Sequence, residues 1–393
     1  MKEQKTYCIT LLFNANKVYD RQIIEGVGQY LQASQCNWNI FIEDNFIYQK
    51  DILEDISIDG IIADFDDSET ANKLLKFNQI PTIAVGSSYK DPSLYPDIPY
   101  VATDNNDLVE AAFLHLRQKG ISNFAFYGMI PPKNGKHWSI ERQNTFVELM
   151  NKYKYPNNII YQGENITSKN WLFAQQNLQE WIKTLPAHTG IIAVTDARAR
   201  HLLQACEYLN IAVPDQLCII GIDNEELIQH LSRVSLSSVM QGTRQIGYQA
   251  AKLLDNLLNN KPISKKPILI PSIKVVERRS TDYRSLKDPF VIQAMHFIRH
   301  NACKRIKVEQ VLDHLRISRS NLENRFKIDM KKTIHQAIYD EKLKRAIDLL
   351  CFTNMSIQEI TEICGYPSVQ YFYFIFKKEY KKTPKEFKNM MLN

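Results

Sequence analysis

The chain has 393 residues, with 49 lysines and arginines against 43 aspartates and glutamates, and a formal charge of +6. Its 44% hydrophobic and 23% charged content describes a globular protein able to bury more than one core, with two or three domains at this length. No apolar run reaches the roughly 20 residues of a membrane helix, and "MKEQKTYCITLLFNANK" lacks the long apolar segment and cleavage site of a secretion signal, so a cytoplasmic protein with no membrane partner is expected.

In chain order, "YCITLLFNAN" reads as a buried strand, and "DRQIIEGVGQYLQAS" carries Ile23, Ile24, Val27 and Leu31 at helical spacing. "WNIFIED", "GIIADFDD" and "PTIAVGSS" read as further strands. The pattern restarts with "NFAFYGM", "NIIYQG", "TGIIAVTD" and "LCIIGIDN". Two successive α/β sets of similar size predict two lobes, each a parallel sheet covered by helices, with a cleft between them.

Ligands of such sheets sit beyond the carboxyl ends of the strands, and polar residues crowd those ends here. Asn14, Asn16, Tyr19, Asp20 and Arg21 follow the first strand, and Asp64, Asp66 and Asp67 the third. Asp196 and Arg198 close "IIAVTDARAR", and Asp223 and Asn224 close "CIIGIDNEE". Asp, Asn and Arg form paired hydrogen bonds to neighbouring hydroxyls, which suits a carbohydrate. Trp138 in "GKHWSIERQ" offers a ring for the C–H face of a sugar, followed by Arg142. Any single Asp here serves equally as a helix cap or turn residue; the convergence of several strand ends is what points to a polyol site.

Enzymatic signals are sparse. A carboxylate pair for glycoside hydrolysis is the catalytic alternative, but no HExxH occurs and "EGVGQYLQ" lacks the third glycine of a phosphate loop. The seven cysteines are scattered with no CxxC, so reduced thiols are expected, with no metal and no cofactor.

"RRSTDYRSLKDP" reads as a linker, and an amphipathic helix follows in "FVIQAMHFIRHNA", with Val291, Ile292, Met295 and Ile298 facing inward. From Lys287 onward 20 lysines and arginines stand against 12 acids, whereas the rest of the chain is nearly neutral. A basic tail on a neutral body points to a polyanion. Within it "VEQVLDHLRISRSNLENRF" and "IQEITEICGYPSVQYFYFIF" echo each other: Val308 matches Ile357, Val311 Ile360, Leu315 Cys364, Leu322 Phe372 and Phe326 Phe376. Each copy is a short helix, a turn and a second helix, and "IHQAIYDEKLKRAIDLLCF" bridges them. Val369, Phe372 and Phe376 form the inward stripe of the last copy. The outward residues are Ser368, Gln370, Tyr371 and Lys377, and in the first copy Ser318, Arg319, Ser320, Asn321 and Arg325. Such residues reach phosphates and base edges when a helix lies in the major groove. An all-α docking module with a solvated basic surface is the competing reading.

Two family resemblances join these motifs. "VATDNNDLVEAAFLHLRQKGISNFAFYG", "IIAVTDARARHLLQACEYLNIAVPDQLCIIGIDNEEL", "LSSVMQGTRQIGYQAAKLL" and "VVERRST" resemble the effector-binding core of LacI/GalR repressors, which shares its fold with periplasmic sugar-binding proteins. That likeness implies effector contacts at Arg142 and Asp223. Those repressors begin with a DNA-binding helix-turn-helix, whereas this sequence begins with the first strand. "SIQEITEICGYPSVQYFYFIFKKEYKKTPKEF" resembles the AraC/XylS DNA-binding domain, with Lys381 where that family usually has Gly and Phe374 where a polar residue is common. The combined order, with "YDRQIIEGVGQYLQAS", "TDARARHLLQ" and "RRSTDYRSL", resembles the bacterial xylose-operon activators. Residue chemistry itself stops at a small polyol; D-xylose or a related pentose is what the likeness implies.

The expectation is therefore a two-lobe, periplasmic-binding-protein-like α/β domain over 1–281, a linker over 282–290, and an all-α domain with two helix-turn-helix units over 291–393. It is read as a non-enzymatic, sugar-responsive activator. Its expected partners are double-stranded promoter DNA, a pentose, RNA polymerase and a second copy of itself in a homodimer.

Overall fold

The computed structural model describes residues 5–42, 58–66, 74, 80–130, 137–155, 159–264, 266–283, 286, 288–353 and 355–392. Asp67 lies outside them.

The first lobe holds strands β1 (Tyr7–Leu12), β2 (Trp38–Phe41), β3 (Gly60–Asp64), β4 (Thr82–Ser87) and β5 (Tyr100–Thr103), with helix α1 (Val18–Ser34). The chain crosses to the second lobe through α2 (Asn105–Gln118). There it builds β6 (Asn123–Met129), α3 (His137–Lys152), β7 (Ile159–Gly163), α4 (Trp171–Lys183), β8 (Thr189–Ala193), α5 (Asp196–Tyr208), β9 (Leu217–Ile222), α6 (Glu226–Leu231) and β10 (Ser237–Met240). It then recrosses. Helix α7 (Thr243–Leu258) and β11 (Ile268–Ile270) belong to the first lobe, and β12 (Lys274–Val276) returns to the second. The sheets run β11-β5-β4-β3-β1-β2 and β12-β10-β9-β8-β6-β7. Pairing in them is parallel throughout, except for antiparallel β10–β12.

The two α/β sets are thus not simply successive. Helix α7 packs on α1 in one core with Ile9, Ile23, Val27, Ile246, Ala250 and Leu254. That contact is backbone to backbone: a Cβ at Gly26 would lie 2.0 Å from the Arg244 carbonyl oxygen, and one at Gly247 1.9 Å from that of Ile23. Three chain crossings lie side by side between the lobes, tied where Asp104 N donates to Ile270 O at 3.0 Å and Ile273 N to Met240 O at 2.8 Å.

The C-terminal helices begin at Pro289. Helix α8 (Pro289–Asn301) has Pro289 in its first turn, where a missing N–H costs nothing, and the Asp288 carboxylate caps Phe290 N and Val291 N. Helices α9 (Val308–Leu315) and α10 (Arg319–Asp329) form the first unit, α11 (Ile334–Phe352) bridges, α12 (Ile357–Ile363) and α13 (Val369–Tyr380) form the second, and α14 (Pro384–Leu392) follows. Each unit has its own core. Val291, Ile298, Val311, Leu322 and Phe326 pack in one, and Leu350, Ile360, Cys364, Phe372, Ile375 and Phe376 in the other. Ile375 takes the inward place expected of Val369, which is half-buried in the first turn.

Candidate functional site: an interlobe cleft and two paired helices

A cavity of about 570 Å³ opens between the lobes, within the roughly 300–1,000 Å³ of small-molecule sites. Its wall comes from strand ends, as open α/β sheets dictate. The first lobe supplies Tyr19, Asp20 and Gln22 from α1, Asp64 at the end of β3 and Asp66 beyond it, Ser87 from β4 and Thr103 from β5. The second supplies Trp138 and Arg142 from α3, Thr195 after β8, and Asp223 and Glu225 after β9. Asn105, Gln241 and Thr243 stand on the crossings themselves.

Most of the polar wall residues are held from behind. The Asp20 carboxylate accepts from Asn14 N at 2.8 Å and pairs with Lys17 at 3.7 Å; Lys17 also reaches Asp64 at 3.6 Å. Asp66 accepts from Ser87 N at 2.9 Å and Ser87 Oγ at 2.7 Å. The Tyr19 and Thr103 hydroxyls lie 2.7 Å apart. Arg142, 4% exposed, donates Nε to Asn105 Oδ1 at 2.9 Å and Nη1 to Val194 O at 2.6 Å, with its guanidinium 4.9 Å from the Trp138 ring centroid. Asp223 accepts from Gln241 Nε2 at 2.6 Å. Two buried atoms on this wall, Asn105 Nδ2 and Gln241 Oε1, have no hydrogen-bond partner. They are a donor and an acceptor whose burial costs free energy until a ligand meets them.

Five carboxylates line the cavity (Asp20, Asp64, Asp66, Asp223, Glu225) against two cations, Lys17 and Arg142. That balance repels phosphates and suits a neutral, hydroxyl-rich guest. Burial pushes the carboxyls of Asp20, Asp66 and Asp223 above their ordinary range. The Asp64 charge adds to the rise at Asp20, the Ser87 hydrogen bonds oppose it at Asp66, and the Arg142 charge opposes it at Asp223. Burial likewise lowers Arg142, offset most by the Asp223 charge.

Four residues expected at the sugar lie elsewhere. Arg21 is exposed and donates Nε to Ala15 O at 3.0 Å, closing the turn before α1. Arg198 donates to Tyr127 Oη at 3.1 Å and to Asn165 Oδ1 at 3.4 Å, away from the cavity wall. Asp196 is fully buried, and its two oxygens accept from Ser238 Oγ at 2.6 Å and Glu225 N at 2.8 Å. Asn224 accepts from Arg278 Nη2 at 2.8 Å. These last two clamp the turn that presents Asp223, whose φ of 127° is an unfavourable backbone conformation for Asp. Among the wall residues that sequence reasoning missed, Gln22, Asn105, Gln241 and Thr243 come from α1 and the crossings, and Ser87, Thr103, Thr195 and Glu225 from other strand ends.

In the C-terminal domain the second helix of each unit presents an exposed polar side. Ser318, Arg319, Ser320 and Asn321 are exposed at the start of α10, and Ser368, Gln370, Tyr371 and Lys377 on or next to α13. Ser368 also caps α13, accepting from Tyr371 N at 3.1 Å. Arg325 differs: it pairs with Asp288 at 2.5 Å, donates to Asn321 Oδ1 at 2.7 Å and lies 4.8 Å from the Phe290 ring centroid, so it ties α10 to α8. The turn of the first unit uses Arg316 at φ 52° and that of the second Gly365 at φ 68°, where a Cβ would lie 2.3 Å from Cys303 O. Lys381 keeps a left-handed helix end at φ 57°, the conformation for which Gly is usual. Among the described residues no His/Cys/Asp/Glu group is arranged to hold a metal, and no helix is long and apolar enough to cross a membrane.

The two parts meet through ion pairs, most deeply buried around Arg299 and Glu341. Arg299 of α8 pairs with Asp215 of the second lobe and lies 3.7 Å from Glu341 of α11. Glu341 also accepts from Arg279 at 2.5 Å, and Lys344 of α11 pairs with Asp282.

Comparison with known proteins follows this division. Residues 8–106 match the family described as the XylR N-terminal domain, 113–281 the periplasmic binding protein-like domain, and 311–390 a helix-turn-helix domain. The chain is 66% identical to the xylose operon regulatory protein of Haemophilus influenzae, over 98% of this chain and 99% of that one. It is 57% identical to the protein of that name in Escherichia coli K12, over 98% of both. A solved structure of a xylose-binding transcription activator, XylR, superposes with a TM-score of 0.89 at 56% identity over 98% of both chains. With both halves of the architecture, their order and the full length in common, the chain belongs to the family of xylose operon regulatory proteins.

Proposed function

We propose that the interlobe cleft binds D-xylose and that sugar-driven closure sets how the two helix-turn-helix units engage promoter DNA, making the chain a sugar-gated transcription activator. The observation that carries this reading is the cleft wall itself. Hydrogen-bonding groups from both lobes face one cavity, and two buried partners, Asn105 Nδ2 and Gln241 Oε1, stand unmet. A pentopyranose is uncharged, carries hydroxyls on adjacent ring carbons and has a C–H face for Trp138. A ligand touching both lobes grips the closed form more tightly than the open one, and only that difference shifts the balance.

A covalent and hydrogen-bonded route leads from the cleft to the readers. Asp223 faces the sugar, Asn224 beside it holds Arg278, and the next residue, Arg279, holds Glu341 of α11. A displaced Asp223 turn therefore pulls on the helix that bridges the two DNA-reading units. The chain acts in the cytoplasm as a homodimer that recruits RNA polymerase, and it places four reading helices on repeats separated by whole turns of about 34 Å.

Calorimetric titration with pentoses and hexoses tests the ligand: D-xylose releases binding heat from the parent and none from Asp223→Ala. Unchanged affinity in that variant, or no pentose uptake by the parent, refutes the site. For DNA, Arg319→Ala relaxes base preference, whereas Lys377→Ala lowers the salt slope by about one. Parent-like footprints and slopes in both variants would show that another face binds.

A further inference from the structure

We propose that the exposed ring of Phe374 reads thymine methyl groups in the major groove, while Asn324, its counterpart in the first unit, reads adenine. The two units of one chain then recognise different bases by different chemistry. This rests on the DNA-reading proposal above and assigns base contacts within it.

Phe374 is 66% exposed although the neighbouring core is complete without it, since Phe372 and Phe376 on the same helix are fully buried. Its position is not incidental. Gln370 lies four residues before it, Tyr371 three before, and Lys377 and Lys378 three and four after, so all five share one side of α13. All but Phe374 are polar or amphipathic, and all are exposed. Lys381 and Lys382 extend the positive charge past the helix end. A ring set among cations fits a polyanionic partner better than an apolar protein groove. The apolar feature that B-DNA offers in its major groove is the C5-methyl of thymine.

The first unit repeats this arrangement of buried and exposed positions. Leu322 and Phe326 of α10 are fully buried, as are their counterparts Phe372 and Phe376. Asn324 therefore stands where Phe374 stands, and it too is exposed. Asparagine matches the N6 donor and N7 acceptor of adenine in a paired contact. Arg325, one residue on, is drawn off to Asp288, which leaves position 324 as the outward one.

The test uses the full chain with D-xylose. An operator is selected from a randomised duplex pool, and each of its thymines is then replaced by deoxyuridine, which deletes only the methyl. The parent loses about fourfold in affinity at one or more thymines, the change equal to the ~0.8 kcal/mol of one methyl, and Phe374→Ala is indifferent at those same positions. Phe374→Asn selects adenine there, as a merely structural ring would not. A parent insensitive to every uracil, or a Phe374→Ala chain that keeps the sensitivity, overturns the inference while leaving DNA reading intact. So does a Phe374→Ala chain with parental affinity and base preference but lost activation, which marks the ring as a protein contact. A parent that selects no sequence overturns both readings.

Discussion

Replacing Arg299 by alanine probes the joint between sensor and reader. The Arg299 side chain is 12% exposed, the Asp215 carboxylate that it meets is fully buried, and Glu341, 3.7 Å away, is 4% exposed. Removing the guanidinium leaves Asp215 charged in a buried interface, a loss of about 3–5 kcal/mol. At 1.36 kcal/mol per power of ten, that lowers the equilibrium constant for docking by about two to nearly four decades. The cleft is untouched, so D-xylose still binds Arg299→Ala within about threefold of parental affinity, but the sugar-dependent change in operator affinity collapses. Pairing Arg299→Met with Asp215→Leu removes both charges and restores docking, because apolar replacement of a buried pair is often neutral or better. The assay is fluorescence anisotropy of a labelled operator with and without D-xylose, beside calorimetry of sugar binding. A full sugar response in Arg299→Ala, or a paired variant that fails as badly as the single one, rules out this pair as the coupling joint.

Arg142→Ala removes a cleft cation and leaves Asn105 Oδ1 and Val194 O without their donor. Titration calorimetry detects no pentose heat, and thermal melts fall by an amount that sugar does not restore. Asp20 behaves oppositely towards stability. Burial raises its folded pKa above the unfolded value, so its contribution is fully present below the unfolded pKa near 3.9 and is lost as pH rises through the raised one. Asp20→Asn therefore raises the Tm of the sugar-free protein by about 2–4 °C at pH 8 and less at pH 5, while abolishing sugar binding; an equal rise at both pH values contradicts the assignment. Gly365→Ala places a Cβ 2.3 Å from Cys303 O at a φ of 68°, costing at least about 1–3 kcal/mol. Its melts show the loss in the C-terminal domain with sugar affinity unchanged.

How much of this was legible in the sequence depended on the length of the pattern. Long strands announced their polar ends, and so Asp20, Asp66 and Asp223 could be read as strand-end residues, which line the cleft. β5 and β10 have only four residues each. Their periodicity was too brief to mark Asn105 and Gln241 as strand-end residues, although "VATDNND" and "SSVMQGT" show the same apolar run breaking into polar residues. Strand-end position also says nothing of side-chain direction. Asp196 sits where a ligand residue would, but its carboxylate turns to a backbone amide and a serine and positions Asp223 instead. The return of α7 and β11 to the first lobe is a matter of topology, beyond what local spacing encodes. In the tail, the buried positions of two repeats could be aligned from apolar spacing alone. The capture of Arg325 could not, because Asp288 lies 37 residues upstream.

In the proposed function, sugar in the cleft and DNA on the paired helices act on one equilibrium. Linkage makes that reciprocal: whatever factor D-xylose adds to operator affinity, the operator must add to D-xylose affinity. Titrating D-xylose calorimetrically into the chain alone and into the chain saturated with its operator measures this directly. Sugar is expected to bind more tightly in the complex, by the same factor that it confers on DNA binding. Equal sugar affinity in the two titrations would contradict it.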